Sequence, residues 1–283
     1  MISYSYAIIF ALASLLGIGS SDFLYKMARS GGATPEAFLL LQAVFFNLTD
    51  VAALLLTHQQ MMFTITLIIS GLSEAVMLYA AFLIFITSLK AIDVSSGAPI
   101  FRLNFLITSL LAYIMLGEKF GITQLLGSVF SILAIIFFSW RGGSSFAEVR
   151  NIVMTLVAMI LYGLSGFVYK VALGFGINPV ALITMQGLSF ITIAFLYSAY
   201  KGKLTFSKAE VSKAPFCGVL LSFSLIVLNE ALKLQPVNII YPISQLSFTF
   251  TSVLGFIILG EKLDAYKLLG IISAMVAVVT LAL

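Results

Sequence analysis

The chain has 283 residues, of which 61% are hydrophobic and 9% are charged, and its formal net charge is +4. A soluble globular domain carries roughly 25% charged residues, so this composition excludes a soluble protein and predicts a multi-pass integral protein of the cell membrane. One cysteine, Cys217, and one histidine, His58, exclude an intrachain disulfide and a multi-histidine metal site. No metal or other cofactor is expected. The loop charges favour a membrane surface, and no nucleic-acid partner is expected.

Apolar segments separated by short polar breaks predict ten transmembrane helices, because a helix needs about 20 apolar residues to cross a bilayer. The first segment lacks a basic start and continues to about Tyr25, so it is interpreted as a spanning helix rather than a signal peptide. Pro35 and Asn178-Pro179 mark equivalent breaks in the two halves. The approximate limits of the predicted helices are 3–27, 35–56, 62–89, 95–116, 121–140, 150–173, 179–200, 214–232, 237–259 and 264–283.

The two halves of the sequence repeat each other. Leu116-Gly117-Glu118-Lys119 recurs as Leu259-Gly260-Glu261-Lys262 at the same place in each half. Each motif is interpreted as a structural stop, since its glycine can close a helix with a positive φ. A gapless alignment pairs Leu89, Lys90, Val94, Pro99, Ile100, Leu103, Phe105 and Ser109 with Leu232, Lys233, Val237, Pro242, Ile243, Leu246, Phe248 and Ser252.

This duplication predicts an all-α integral membrane protein built from two inverted five-helix repeats, residues 1–143 and 144–283. Because each repeat crosses the membrane an odd number of times, the second repeat is expected to lie upside down relative to the first. In such proteins the substrate site usually lies near the bilayer midplane between the repeats, which rock against each other to give alternating access.

This organisation resembles the EamA-type branch of the drug/metabolite transporter superfamily. The resemblance rests on Pro99 and Pro242 early in the fourth helix of each repeat, the Leu-Gly-Glu-Lys ends, and Gly127 or Gly270 in each last helix. It covers essentially the whole chain. It implies a small-metabolite carrier, often an exporter, with a central cavity lined mainly by predicted helices 1, 3, 4, 6, 8 and 9. It does not fix the substrate.

Two charged residues inside predicted helices are the first candidates for a binding site, because charges within a membrane cost free energy and mark functional sites. Glu74, near the middle of helix 3, is interpreted as an anchor for a substrate amine or as a proton-coupling group. The alternative is that Glu74 lies near the mouth of a cavity or is one half of a structural ion pair. Arg102, in helix 4, is expected to pair with Glu74, to bind an acidic substrate group, or to reach the membrane interface. Its counterpart in the second repeat is Gln245.

Polar residues at helical spacing predict the remainder of an amphipathic pocket. Predicted helix 9 carries Tyr241 and Gln245 on one face. The other candidates are Tyr162, Ser165 and Tyr169 on helix 6, Asn229 on helix 8, and Ser21 and Asp22 on helix 1. For each single hydroxyl, ordinary helix packing is the alternative.

Local spacing assigns structural roles to several neighbouring residues. Asp22 lies four residues before Lys26, so the two are expected to form an ion pair on one helix face. The duplicated pairs Tyr25-Lys26 and Tyr169-Lys170 are expected to anchor helix ends at the membrane interface. Pro99 and Pro242 are hypothesised to be gate hinges, since proline disrupts helical hydrogen bonding.

The membrane orientation is left open because two arguments disagree. Most Lys and Arg residues fall on one predicted side, whereas Lys119, Lys170 and Lys233 fall on the other. The positive-inside rule then puts both termini outside the cell. The family resemblance implies termini inside for several members.

The sequence predicts a secondary transporter, and not an enzyme, that exports small metabolites such as amino acids. No phosphate-binding Gly-x-x-x-x-Gly-Lys-Ser/Thr loop is present, so an ion gradient, exchange or the substrate's own gradient is expected to supply the energy. The expected partners are a small-molecule substrate, the lipid bilayer and candidate coupling protons, with the chain acting as a monomer or homodimer. The alternatives are a carrier of nucleotide-linked or lipid-linked sugars and a non-transporting receptor or assembly subunit.

Overall fold

A computed structural model describes residues 2–56, 63–117, 121–139, 146–234, 240 and 243–282. Within these ranges the secondary structure is helical and contains no strand, as predicted. The helices are α1 Ile2–Ser30, α2 Pro35–Leu56, α3 Ile65–Ser88, α4 Val94–Arg102, α5 Asn104–Leu116, α6 Ile122–Ser139, α7 Phe146–Gly174, α8 Pro179–Tyr200, α9 Lys208–Leu234, α10 Ser247–Ile258 and α11 Ala265–Ala282.

The described helices are long and apolar enough for a multi-pass membrane protein. Seven segments meet the length and hydropathy needed to cross a bilayer, namely Ser5–Ser30, Pro35–Ala53, Ile65–Ser88, Val94–Leu116, Glu148–Gly174, Pro179–Tyr200 and Lys208–Leu234. Three shorter apolar helices follow the same pattern, at Leu125–Phe138, Ile243–Ile258 and Ala265–Thr280. Because these three helices are too short to be identified as membrane spans by length, the total of ten crossings stays a prediction.

Local sequence signals explain where several helices begin and end. The Asn178 side chain accepts hydrogen bonds from the backbone N–H groups of Val180 and Ala181, at 2.9 and 3.4 Å, and so caps α8. Gly117 and Gly260 both have φ +66°. Their left-handed backbone, which glycine adopts without steric cost, confirms that the repeated glycines close helices.

The helix predicted over 95–116 is broken into α4 and α5 at Leu103. There the Leu103 N–H donates to the Ile100 carbonyl oxygen at 3.2 Å, and the Leu106 N–H donates to the Leu103 carbonyl oxygen at 3.0 Å. These tight-turn hydrogen bonds replace the regular i to i−4 pattern. Pro99 lies inside α4, four residues before the break, and it cannot donate a backbone hydrogen bond.

The second half contains the same break at the equivalent position. The Leu246 N–H donates to the Ile243 carbonyl oxygen at 3.3 Å, and the Thr249 N–H donates to the Leu246 carbonyl oxygen at 2.9 Å. Leu246 is the residue that the sequence alignment pairs with Leu103. The duplication therefore extends from sequence to an irregular detail of the backbone.

Packing between the halves is also duplicated. The Thr251 hydroxyl of α10 donates to the Gly19 carbonyl oxygen of α1 at 3.0 Å. The Thr108 hydroxyl of α5 donates to the Gly163 carbonyl oxygen of α7 at 2.8 Å. Gly19 aligns with Gly163, and Thr108 aligns with Thr251. Each half thus presents a threonine to the first helix of the other half.

The outer surface of the bundle is apolar and the interior contains polar groups. Large hydrophobic side chains such as Leu56, Ile65 and Ile257 are strongly exposed. An exposed apolar surface on this scale is suited to lipid and not to water. In contrast, α4 is buried along its whole length, because it packs against α7 and α10. The buried α4 positions the polar groups of the candidate site.

Candidate functional site

Arg102 and Asp22 form a buried ion pair between α4 and α1. Arg102 Nη2 donates to Asp22 Oδ1 at 2.7 Å, and Arg102 Nε donates to Asp22 Oδ2 at 3.0 Å. The side chains are 3% and 0% exposed. This two-point geometry matches the planar guanidinium fork to the carboxylate, so each charge is neutralised by the other.

The ion pair corrects three expectations for these residues. Arg102 contacts Asp22 and not Glu74, and its burial is incompatible with reaching the membrane interface. Asp22 does not pair with Lys26. The Lys26 ammonium instead donates to the backbone carbonyl oxygens of Leu89 and Ile92, at 2.8 and 2.5 Å. Asp22 and Lys26 have the i, i+4 spacing on α1, but Asp22 finds its partner on α4 and Lys26 finds its acceptors in the segment between α3 and α4.

Tyr25 is buried at the centre of an aromatic cluster, so its predicted role as an interfacial anchor is wrong. Its ring lies 5.5 to 6.4 Å, centroid to centroid, from the rings of Phe38, Phe82 and Phe85. Phe85 stacks on Phe101 at 4.1 Å with nearly parallel planes. The cluster fixes α1, α2, α3 and α4 around the Arg102–Asp22 pair.

Tyr162 extends this aromatic cluster from α7. Its ring centroid lies 5.1 Å from that of Phe101 and 5.7 Å from that of Phe82. The side chain is only partly buried. Tyr162 therefore joins α7 to the aromatic cluster beside α4.

Glu74 lies on the buried face of α3 and is 1% exposed. Its Oε1 atom is buried and has no hydrogen-bond partner within the described ranges. One turn earlier, Gly71 packs against Met185 and the backbone of Gln186 on α8, where an added Cβ would lie 2.7 to 3.1 Å from them. Glu74 is thus held at a close α3–α8 contact. A charge or proton is needed there to balance the buried carboxylate.

A second group of buried polar atoms lies on α1, α4, α9, α10 and the residues just before α10. The atoms without a hydrogen-bond partner among the described residues include Ser14 Oγ, Ser95 Oγ, Ser96 Oγ, Ser222 Oγ, Gln245 Oε1, Ser247 Oγ and Ser252 Oγ. Of these helices, α1 packs on α4, α9 and α10, and α4 packs on α10. Buried hydroxyl and amide groups of this kind are costly unless water or a ligand bonds to them.

The remaining predicted site residues occupy varied environments. Ser21 is buried and donates to the Gly17 carbonyl oxygen at 2.9 Å, so its hydroxyl is used within α1. Ser165 is buried, whereas Tyr169 and Asn229 are half-buried. Pro99 is buried within α4. Tyr241 and Pro242 lie outside the described residues.

Sequence reasoning missed an electrostatic connection at one end of the bundle. The Glu261 carboxylate accepts hydrogen bonds from the backbone N–H groups of Val94 and Ser95, at 2.8 and 2.9 Å. It therefore caps the start of α4, where the helix dipole favours an anion. Next to it, Lys267 Nζ lies 2.6 Å from Asp93 Oδ2. The duplicated motif that carries Glu261 was the available signal, but spacing alone could not identify its partner.

The fold, with its apolar outer surface and buried polar interior, is that of a multi-pass integral membrane protein. The model of the EamA-like transporter family matches residues 5–140 and 149–283, which span nearly the whole chain. The chain belongs to this family, within the drug/metabolite transporter superfamily, as the sequence predicted. It is therefore a membrane transporter of that type, and family members are generally not enzymes.

Comparison with solved structures supports the same fold. Matches are found to 25 chains. One of them, a protein crystal structure, has a TM-score of 0.68 and 12% sequence identity, covering 98% of this chain and 95% of its own. At that identity the likeness concerns the fold alone. No curated protein matches the sequence.

Proposed function

We propose that this transporter exports small amphipathic metabolites, such as amino acids, and that Glu74 binds either the substrate amine or a coupling proton. The observation that carries the proposal is the buried Glu74 carboxylate, with no described partner for Oε1. An uncompensated carboxylate inside a membrane is unfavourable. A cationic amine or a proton removes that penalty, so the site favours either one.

The Arg102–Asp22 pair supports a substrate with little net negative charge. Both charges of the pair are satisfied by the two-point contact. A phosphate-containing substrate would have to displace Asp22 from Arg102 and leave a buried carboxylate unpaired, which is costly. This argues against the alternative of nucleotide-linked or lipid-linked sugars. The buried hydroxyl groups on α4 and α10 suit neutral donors and acceptors instead.

The proposed mechanism is alternating access between two inverted repeats. The reciprocal Thr251–Gly19 and Thr108–Gly163 contacts support it, because each repeat holds the first helix of the other in the same way. The helix breaks at Leu103 and Leu246 supply equivalent points where the backbone can bend. A rocking motion that exchanges two near-equivalent packings would open the interior to either side in turn.

Flux through liposomes tests the transport function. Purified protein would be reconstituted and loaded with a pool of unlabelled amino acids, and entry of single labelled amino acids would be followed. We expect saturable exchange of at least one compound by the wild type and a strong loss of its affinity in Glu74→Gln. Glu230→Gln is the matched control, because Glu230 is exposed and paired with Lys233 at 2.6 Å.

The outcomes separate the candidate functions. Saturable flux lost in Glu74→Gln and kept in Glu230→Gln supports a carrier with Glu74 in its site. Equal flux in all three proteins keeps the carrier but removes Glu74 from it. Absence of flux for every amino acid, from protein that elutes as a folded species, would count against amino-acid substrates and favour the nucleotide-linked or lipid-linked sugars.

A further inference from the structure

A second buried acidic site lies between α2 and α8, away from the Arg102–Asp22 pair. Asp50 and Asn47 are one turn apart on α2, and they are 7% and 8% exposed. They face Thr184 and Gly187, which are one turn apart on α8. The Thr184 hydroxyl lies 2.8 Å from Asp50 Oδ2, and Asn47 Nδ2 donates to the Gly187 carbonyl oxygen at 3.1 Å.

The Thr184 hydroxyl has two acceptors but only one proton. Besides Asp50 Oδ2, its Oγ1 lies 3.0 Å from the Val180 carbonyl oxygen. A hydroxyl donates one hydrogen bond and can accept others. If the Asp50 carboxyl carries a proton, it donates to Thr184 Oγ1, and Thr184 then donates to Val180. In that arrangement the Thr184 hydroxyl both accepts and donates, whereas beside an ionised Asp50 its single proton must choose between the two acceptors.

Asn47 supplies a second observation, a buried acceptor that lacks a donor. Both protons of its Nδ2 are used, because this nitrogen also donates to the Ala43 carbonyl oxygen at 2.8 Å. Its Oδ1 is buried and has no partner among the described residues. This oxygen is directed at the backbone of Gly187, where an added Cβ would lie 2.8 Å from it. The site therefore contains one buried acceptor without a donor among the described residues, next to a buried carboxyl.

The helices around Asp50 bring no cation to it within the described ranges. The helices that pack on α2 are α3, α8 and α9. The titratable side chains of the four are Glu36 and Asp50 on α2, Glu74 and Tyr79 on α3, Tyr197 and Tyr200 on α8, and Lys208, Glu210, Lys213, Cys217, Glu230 and Lys233 on α9. Gly218 of α9 packs against Phe46, one turn before Asp50, and α9 has no charged residue from there to Glu230.

We infer that Asp50 is a proton-binding site, in which the Thr184 hydroxyl reverses its hydrogen bond when the carboxyl gains or loses its proton. Asp50 lies six residues from the end of α2, about 9 Å along the helix axis. Glu74 lies deeper, on the other side of α8. The two carboxyls thus provide one proton site near an end of the bundle and one near its middle. This inference extends the proton coupling proposed for Glu74, but its test needs no flux.

Infrared spectroscopy of the full-length protein in lipid tests the inference directly. A protonated carboxyl has a carbonyl-stretch band that an ionised carboxylate lacks. Spectra would be recorded over a range of pH in the Glu74→Gln background, which removes the other uncompensated carboxyl. At pH values above about 6, where exposed carboxyls are ionised, we expect one remaining protonated-carboxyl band, which Asp50→Asn abolishes. Thr184→Val is expected to shift the band frequency, because the hydrogen bond from the carboxyl to the hydroxyl is lost.

Thr192→Val is the matched control for Thr184→Val. Thr192 is on the same helix and donates to the Leu188 carbonyl oxygen at 2.8 Å, but it bonds to no carboxyl in the described part of the chain. An unshifted band in Thr192→Val and a shifted band in Thr184→Val support the inference, even if Asp50→Asn fails to fold. A band unchanged in folded Asp50→Asn overturns it. Absence of an Asp50-dependent band at every pH also overturns it.

Discussion

Asp22 on α1 accepts two hydrogen bonds from the Arg102 guanidinium on α4, at 2.7 and 3.0 Å, although the residues are 80 positions apart in sequence. The pair lies in the interior beside the Tyr25 aromatic cluster. It joins the first helix of the chain to the broken helix that carries Pro99. The stability of this junction depends on both charges being present.

Asp22→Asn is expected to destabilise the protein strongly. Removal of one partner from a buried ion pair leaves the other charge uncompensated and costs about 3–5 kcal/mol. Thermal unfolding in detergent, followed by circular dichroism, measures the loss. The double variant Asp22→Asn/Arg102→Gln should lose less than the sum of the single variants, since no charge is then left unpaired. Additive losses would contradict an energetic coupling between the two residues.

Gly163→Ala should destabilise the contact between α7 and α5. An added Cβ at Gly163 would lie 2.5 Å from the Asn104 carbonyl oxygen and 2.5 Å from Ile107 Cβ. Overpacking of this kind costs about 1–3 kcal/mol. Gly174→Ala, on the same helix, is the control because an added Cβ there has open space. Equal thermal midpoints for the two variants would show that α7 and α5 do not pack this closely.

Glu261→Gln is expected to weaken the cap on α4. The amide keeps an oxygen acceptor but loses the charge that favours two backbone N–H donors at a helix start, worth about 1 kcal/mol. The unfolding temperature should therefore fall. Glu230→Gln should leave it nearly unchanged, because the exposed Glu230–Lys233 pair contributes little. A larger effect of Glu230→Gln would contradict the assignment.

Pro99→Ala should slow transport with little loss of stability. Proline prevents a regular hydrogen bond to the Ser95 carbonyl oxygen, and alanine restores the donor. A straighter α4 should resist the bending that alternating access requires at Leu103. Initial rates of exchange in liposomes, beside the thermal midpoint, separate the two effects. An unchanged rate would exclude Pro99 as a hinge.

The positions of the helices were predictable because apolar length and glycine placement act locally. The glycine stops at Gly117 and Gly260 are confirmed by their positive φ angles. The break at Leu103 was not predicted, since Pro99 signals a disturbance but the actual turn occurs four residues later. The backbone there is set by packing of α4 between α7 and α10, which no local pattern contains.

The candidate site was only partly predictable for a related reason. Glu74 could be selected because a charge in the middle of an apolar segment is visible in the sequence, however the helices pack. The burial of Glu74 agrees with that selection. The partner of Asp22 could not be predicted, because the i, i+4 rule concerns residues of a single helix and Arg102 lies on a different helix. The prediction that Tyr25 anchors a helix end at the membrane interface was wrong for a similar reason. A Tyr-Lys pair is typical of an interface, yet its ring packs inward when neighbouring helices supply aromatic partners.

The most direct test of Glu74 as the coupling residue compares two driving forces in the same liposomes. For a substrate found by exchange, uptake would be measured with an inward proton gradient and, separately, with unlabelled substrate inside and no gradient. The wild type should respond to both. Uptake by Glu74→Gln should not respond to the proton gradient, even if the variant retains substrate exchange. Equal stimulation of wild type and Glu74→Gln by the proton gradient would contradict a coupling role for Glu74.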